Sequence, residues 1–558
     1  MATDQWKDVA ASQDIQDESF LSVELQEDER VLLVRSGGEL RAWADSCPHV
    51  GCPLSNGDLA DGVLTCPCHN ARFDARTGGM LSPPSLDDLS RYELSERDGR
   101  VLVGPRNEPE FAHFAGPAAA EEPTGAGVPG VRRGADERIV AIVGAGAAGA
   151  MTAEQLRRDG FAGRIVMITP EAGRPYDRVL LSKFYLAGEM GFDDIALRPA
   201  SFYENHAIEI WTECSATALD PGTRTLTLDD GRRLGADAIV LATGSRAKPL
   251  PVPGAELGGV HLLRSAADAE ALRADARGAK NAVVIGSSFI GTEAAAYLKA
   301  RGLEVAMVAP ESVPFERVFG YEVGARFASM HRTAGVELHL EQGVARITGT
   351  DRVRKVELSD GSALPADLVV IGVGAEPVIE YLEGSGLVQD GAVPVDAWTR
   401  TTAEGVYAVG DIARVRADGA AGAAAGAGGA NAAGGAAGAA GEARRVEHWV
   451  VAQRHGLQAA RSILAPKAKP LNFAPFFWTR QFETSFGYIG YAPEFDEVRF
   501  TGDVEGGKFL AGYFRNGVLA AVGTIGRGVA AARYGRLLEA GRQIGVDEFE
   551  HGQARTGS

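Results

Sequence analysis

The sequence predicts a multidomain protein in which an all-β N-terminal domain precedes an α/β region of two doubly wound units and a C-terminal α+β domain. Three observations carry that reading. A chain of 558 residues is too long for one hydrophobic core. The run Arg138-Ile-Val-Ala-Ile-Val143 leads into Gly144-Ala-Gly-Ala-Ala-Gly149 and a helix through Leu156, and Asn281-Ala-Val-Val-Ile285 leads into Gly286-Ser-Ser-Phe-Ile-Gly291 and a helix through Leu298. A continuous apolar run followed by a glycine turn and a helix is the mark of a parallel sheet with both faces covered. Lastly, Cys47, Cys52, Cys66 and Cys68 crowd together among short alternating strands such as Val31-Leu-Leu-Val34 and Val101-Leu-Val103, as expected of a small β domain.

In chain order, residues 1–104 form that β domain around a Gly-, Pro- and Cys-rich centre. Residues 105–136 are rich in Pro, Ala and Glu and have neither apolar period, so they read as a linker. The first doubly wound unit occupies 137–255 and is completed by 376–468, with the second at 256–375. Within the completing part, 415–441 is nearly pure Ala and Gly and reads as a surface insertion. From 469 to 558, segments such as Phe476-Phe-Trp-Thr-Arg-Gln-Phe482 and Gly487-Tyr-Ile-Gly-Tyr491 alternate around glycine turns, which suits the small α+β domain.

With 56 Lys+Arg against 74 Asp+Glu the net charge is −18, a surface that repels phosphate backbones and anionic lipid. Nucleic acid and membranes are therefore not expected partners. The first thirty residues lack a basic start followed by an apolar run, and no later stretch is long and apolar enough to span a bilayer. The cytoplasm is the expected compartment.

Cys47-Pro-His49 and Cys66-Pro-Cys-His69 supply two thiolates and two imidazoles on two short loops. Such spacing in a cytosolic chain points to metal or redox chemistry rather than a disulfide framework. Two sites take this donor set. One is a [2Fe–2S] centre with two cysteines on one iron and two histidines on the other. The alternative is a redox-silent Cys₂His₂ zinc site, from whose usual finger spacing C-x-H with C-x-x-H departs. Over residues 15–104 the chain resembles the Rieske family, whose ligand pattern falls on Cys47, His49, Cys66 and His69. The resemblance also implies a disulfide between Cys52 and Cys68, as in respiratory members, two free thiols being the alternative. Ala71 and Phe73 stand where those members carry hydroxyl donors to the cluster, and neither side chain can donate. Asn70 replaces a common Gly, which leaves the turn geometry open.

A lone G-x-G-x-x-G is weak in a chain with 71 glycines, but here the motifs follow strands and open helices, as a pyrophosphate site requires. Further motifs follow in order: Glu171-Ala-Gly-Arg-Pro-Tyr-Asp-Arg-Val-Leu-Leu-Ser-Lys183, Ala242-Thr-Gly-Ser-Arg246, Gly372-Val-Gly-Ala-Glu-Pro377, Gly405-Val-Tyr-Ala-Val-Gly-Asp411, Glu447-His-Trp449 and Phe477-Trp-Thr479. Over 137–540 the chain resembles the flavoprotein reductases with two dinucleotide domains, in the branch of ferredoxin reductases and apoptosis-inducing-factor-like proteins. That resemblance implies FAD held by Gly144, Gly146, Gly149, Glu171, Arg178, Thr243, Gly244, Arg246, Asp411 and Trp449. It implies a nicotinamide nucleotide, NADH or NADPH, along Gly286, Ser288, Gly291 and Gly374. The catalytic pair it implies is Lys183 and Glu293, an ion pair over the flavin that places a cation where negative charge develops.

The function expected from these readings is an NAD(P)H-dependent flavoprotein reductase that passes electrons from FAD to the Rieske cluster and on to an oxygenase, carrier or small oxidant. A redox-sensing or interaction protein of the apoptosis-inducing-factor type is the alternative. A Rieske oxygenase would need two histidines and a carboxylate for a mononuclear iron, and no such run occurs. Cys214 has no cysteine near it in sequence, which argues against a disulfide acceptor. A homodimer stays open. At the end of the second unit's strand, Ala309 stands where an acidic residue would hold the NADH ribose; Glu311 is the substitute, and with Arg317 further on the reading leans to NADH.

Overall fold

The computed structural model describes residues 6–107, 136–416, 444–465 and 467–552. The expected linker, beyond Asn107, and the Ala/Gly-rich insertion, beyond Arg416, lie outside the described residues.

The N-terminal sheet is antiparallel, in the order Lys7–Ala11, Arg100–Asn107, Arg91–Arg97, Glu39–Ala44, Glu29–Ser36, Ser19–Gln26. Its inner strand is buried on both faces. Val31 and Leu33 pack with Val101 and Val103 on one side, while Leu32 and Val34 meet Trp43, Phe73, Cys47 and Cys66 on the other. The second side faces a small sheet of Asp58–Ala60, Val63–Thr65, Arg72–Asp74 and Met80–Ser82, whose ends carry the cysteine–histidine loops. Trp43 is 1% exposed and donates its indole N–H to the Ala75 carbonyl at 3.0 Å. A buried indole needs such a partner.

Both doubly wound units are present. The first sheet is parallel, ordered Ile208–Trp211, Arg164–Ile168, Ile139–Val143, Ala238–Leu241, Val406–Ala408. The second runs Val260–Leu262, Leu368–Ile371, Asn281–Ile285, Glu304–Ala309, Glu337–Leu340, again parallel. Alternate residues explain the apolar runs, because Val140 and Ile142 pack on one face while Ala141 and Val143 pack on the other. Short antiparallel strands, Ser245–Ala247 and Ala375–Pro377, link the two units. The C-terminal domain is a five-stranded antiparallel sheet from Phe476–Gln481 to Val518–Ile525, backed by helices Gly528–Glu539 and Val546–His551. No helix among the described residues is long and apolar enough to cross a membrane.

Helix Ala147–Arg158, which opens at the first glycine motif, packs along helix Trp449–Leu464. The approach depends on Gly456, where an added Cβ would collide with the Ala148 carbonyl and sit 3.1 Å from Met151 Cβ. Overpacking of this kind costs about 1–3 kcal/mol, and at about 2–4 °C per kcal/mol for a unit of this size Gly456→Val is expected to lower Tm by several degrees. Calorimetry checks it, and an unchanged Tm would mean the helices can part freely.

Candidate active site

Two loops bring the metal-type donors together. In the first, the Cys47 N–H bonds the Cys52 carbonyl and the Gly51 N–H bonds the Cys47 carbonyl, both at 2.8 Å. In the second, the Cys66 N–H bonds the Ala71 carbonyl at 2.8 Å and the Asn70 N–H bonds the Cys66 carbonyl at 3.2 Å. Asn70 takes φ +61°, a left-handed conformation that Asn tolerates better than most residues, so the turn expected of Gly survives its replacement. Cys52 and Cys68 form a disulfide with Cα atoms 6.5 Å apart, which ties the loops to one another.

Cys47 and Cys66 are each 1% exposed, and their thiols are hydrogen-bonded to each other. The Cys47 thiol donates to Cys66 and holds it down to about 7, while the same contact and burial push Cys47 up. Backbone N–H groups of His49 and Val50 serve the Cys47 sulfur, and those of Cys68 and His69 serve Cys66. The Nδ1 atoms of His49 and His69 face each other at 3.1 Å. Burial drops His49 to about 4 and His69 to about 3, the charges of His49 and Lys183 adding to the second. Imidazoles held neutral are the ligand form a metal needs, and two sulfurs paired beside two nitrogens fit a [2Fe–2S] cluster with mixed ligands.

The flavin-type residues assemble beside this. Gly144 has φ +109°, and a Cβ on Gly149 would strike the Gly144 carbonyl, so only glycine lets helix and strand meet there. At Gly146 a Cβ would find nothing nearer than the Arg178 Nε at 4.0 Å, which leaves a free cradle at the helix N-terminus for a pyrophosphate. Glu171 and Arg178 are ion-paired, and the Tyr176 hydroxyl donates to Glu171 while accepting from Arg178. Thr243 donates to the Val378 carbonyl at 2.6 Å, beside Gly244 at φ +66°. Asp411, 9% exposed, accepts from the Ser245 hydroxyl at 2.6 Å and from Arg264 at 3.0 Å. Arg246 does not join this group: its half-exposed side chain is held by Glu376 at 2.7 Å and Glu380 at 2.5 Å.

In the second unit Gly286 and Gly374 have φ +106° and +112°, Ser288 stands at the N-cap position of helix Phe289–Ala300 with no capping bond from its side chain, and a Cβ on Gly291 would strike the Gly286 carbonyl. The same helix carries Glu293, whose carboxylate is 4% exposed and receives Lys183 at 2.8 Å. Ser182 donates to that carboxylate at 2.5 Å and Thr479 at 2.8 Å. Glu311 and Arg317 pair at 3.1 Å beyond the next strand.

One cavity of about 770 Å³ joins the two centres, lined by His49, His69, Lys183, Asp177, Trp449 and Trp478 among others. Burial pushes Asp177 up to about 6. Trp478 lies 4.3 Å, centroid to centroid, from His69 and 6.1 Å from His49. Sequence reasoning quoted Trp478 within a motif and gave it no role, because its partner is hundreds of residues away. Trp449 opens its helix, packs against the core beside the first sheet and also faces this cavity.

The cluster-bearing domain is clamped onto the rest by charge. Arg72 makes a two-pronged contact to Glu539, at 2.6 and 3.0 Å. Asp58 meets Arg533 at 3.1 Å and Arg536 at 2.5 Å, and Asp87 meets Arg198 at 2.7 Å. A Cβ on Gly528 would strike the Pro67 carbonyl, so the second cluster loop rests directly on the C-terminal domain's helix.

With this geometry the comparisons agree. Residues 138–456 match the pyridine nucleotide-disulphide oxidoreductase family, 5–93 the Rieske [2Fe–2S] domain and 476–554 the reductase C-terminal family. The chain belongs to the pyridine nucleotide-disulphide oxidoreductase family. Apoptosis-inducing factor 3 of Mus musculus is 32% identical over 532 residues, covering 93% of this chain and 82% of that protein. A ferredoxin–NAD(P)(+) reductase of Sphingomonas is 35% identical over 72% of this chain and 92% of its own length. The solved covalent complex of putidaredoxin reductase with putidaredoxin is similar over 75% of this chain and 96% of that one, at 28% identity and a TM-score of 0.68. The chain is thus an FAD-dependent oxidoreductase that takes electrons from NAD(P)H and carries a fused Rieske [2Fe–2S] domain.

Arg72→Glu sets two carboxylates against each other and removes charged hydrogen bonds worth about 1.5–3 kcal/mol. The single variant is expected to loosen the docked domain and the exchange Arg72→Glu/Glu539→Arg to restore it. Small-angle scattering reads this as a larger radius of gyration in the single variant alone; equal radii in all three proteins would show that the pair does not hold the domain.

Proposed function

We propose that this chain is a cytoplasmic, NADH-dependent reductase whose own Rieske domain does the work of a separate ferredoxin and delivers electrons to an oxygenase or redox carrier. The observation that carries the reading is the shared cavity, with Lys183 on one wall and the cluster histidines on another. Putidaredoxin reductase meets its partner as a separate chain; here the Rieske domain is already docked through Arg72, Asp58 and Asp87.

When bound, FAD accepts a hydride from the nucleotide and gives up electrons singly. The chain's own residues set this up. Gly144, Gly146 and Gly149 would admit the FAD pyrophosphate to the helix N-terminus, with Glu171 serving the adenosine ribose, Arg178 the phosphates, Thr243 and Gly244 the cofactor's length and Asp411 the ribityl chain. Gly286, Ser288, Gly291 and Gly374 line the nucleotide. Lys183, fixed by Glu293, presents its ammonium where negative charge develops. Cys47, His49, Cys66 and His69 hold the cluster, and Trp478, packed on His69, is the aromatic bridge toward the flavin side.

End-to-end similarity to apoptosis-inducing factor 3 supports a second reading, redox sensing with incidental turnover. Rapid steady-state reduction of ferricyanide by NADH favours the reductase, and a slow, long-lived reduced complex favours the sensor.

The reading requires a [2Fe–2S] complement of iron and acid-labile sulfide alongside FAD. In stopped-flow mixing with NADH, flavin absorbance is expected to bleach before the cluster's, and Lys183→Ala to slow the first phase at least about tenfold, roughly 1.4 kcal/mol of barrier, with metal content unchanged. Zinc without sulfide, or an unslowed first phase in the variant, would overturn it.

For the nucleotide, Glu311 at the strand end supports NADH, since a carboxylate accepts from the ribose hydroxyls and repels a 2′-phosphate. A kcat/KM for NADH above that for NADPH is expected; the reverse order would assign the site to Arg317 instead.

A further inference from the structure

Behind Glu293 runs a chain of buried polar groups that the proposed function does not use. Thr479 donates to Glu293 Oε1 at 2.8 Å. The Gln481 amide nitrogen donates to Thr479 Oγ1 at 3.2 Å and to Thr292 Oγ1 at 2.7 Å. The Gln481 carbonyl oxygen lies 2.8 Å from His331 Nε2. Thr292 in turn donates to the Ser288 carbonyl at 2.8 Å. All of these side chains are almost fully enclosed, with Thr292, Thr479 and His331 at 0% and Gln481 at 1% exposure.

The direction of each bond from His331 through Gln481 and Thr479 to Glu293 is forced. A carboxylate only accepts, so the Thr479 hydrogen points to Glu293 and its oxygen must take a hydrogen from Gln481. That orients the Gln481 amide, leaving its oxygen toward His331, which must carry its proton on Nε2. Burial lowers the His331 pKa, in keeping with a neutral donor ring. The His331, Gln481 and Thr479 dipoles thus run head to tail toward Glu293, and the second amide hydrogen reaches, through Thr292, the turn that opens the nucleotide helix.

We propose that Gln481 is a positioning residue for hydride transfer. Its carboxamide, oriented by His331, locks the Thr479 hydroxyl on Glu293 and the Thr292 hydroxyl on the Ser288 turn, and so fixes Lys183 relative to the bound nucleotide. The inference rests on the proposed placement of Lys183 beside the flavin. Gln481 touches neither substrate nor cofactor in this scheme and acts only through Glu293 and Lys183.

Gln481→Met keeps the size of the side chain and removes its donors. The limiting rate of flavin reduction by NADH is expected to fall at least tenfold, with the nucleotide Kd changed less than threefold and FAD, iron and sulfide content as in the parent protein. The flavin midpoint is expected to move about 30 mV more negative, the two-electron equivalent of a tenfold weaker hold on the reduced form. His331→Gln, which retains an amide donor, is expected to keep the parent rate, whereas His331→Leu should follow Gln481→Met. An unchanged rate and midpoint in Gln481→Met, or equal behaviour of the two His331 variants, would overturn the proposal, as would a parallel loss of rate and FAD. Failure of the parent protein itself to reduce its flavin with either nucleotide would instead overturn the functional reading.

Discussion

A carboxylate that is 4% exposed stays charged only if the protein neutralises it, and removing one partner of a buried pair typically costs about 3–5 kcal/mol. Glu293 meets that constraint with partners from two other parts of the chain. Ser182 and Lys183 come from the first doubly wound unit, Thr479 from the C-terminal sheet, and Glu293 itself from the helix that opens at Gly286–Gly291. The domains cannot be arranged independently of this one group.

The strand Phe476–Gln481 shows how the constraint spreads. Successive side chains of a strand point to opposite faces, so Thr479 and Gln481 turn toward the Glu293 side while Trp478, one residue before Thr479, turns toward His69. A single strand therefore touches both redox neighbourhoods. The ion pairs at Arg72 and Asp58 then hold the cluster loops against the C-terminal domain's helix, and that at Asp87 ties the cluster-bearing domain to the first doubly wound unit. Since the first of these is 13–14% exposed on both sides, it is screened less than a surface pair would be.

Much of this was legible in the residues. Cys47-Pro-His49 with Cys66-Pro-Cys-His69 announces its chemistry because short loops alone suffice to converge four donors. The glycine turns announce theirs because Gly149 and Gly291 face carbonyls of their own turns, a local requirement. The alternation of Val31 to Val34, and of Ile139 to Val143, likewise encodes burial on two faces without reference to distant parts. At Asn70 the resemblance left the turn open, and the left-handed φ resolves it by a property of Asn itself.

Other features needed the fold. Pairing of Cys52 with Cys68 was one of two options until the loops were seen side by side. The pairing of Arg246, a phosphate ligand by resemblance, with Glu376 and Glu380 on a neighbouring strand and turn is seen only in the fold. Trp478 against His69, Arg72 against Glu539 and Gln481 against Thr292 join residues far apart in the chain. The sequence by itself determined the fold class, the convergence of two cysteine–histidine loops and the glycine turns, because periodicity, short loops and glycine geometry act over a few residues. Only the tertiary structure decided which buried charges meet, because that depends on how separate domains pack, and no local pattern encodes it.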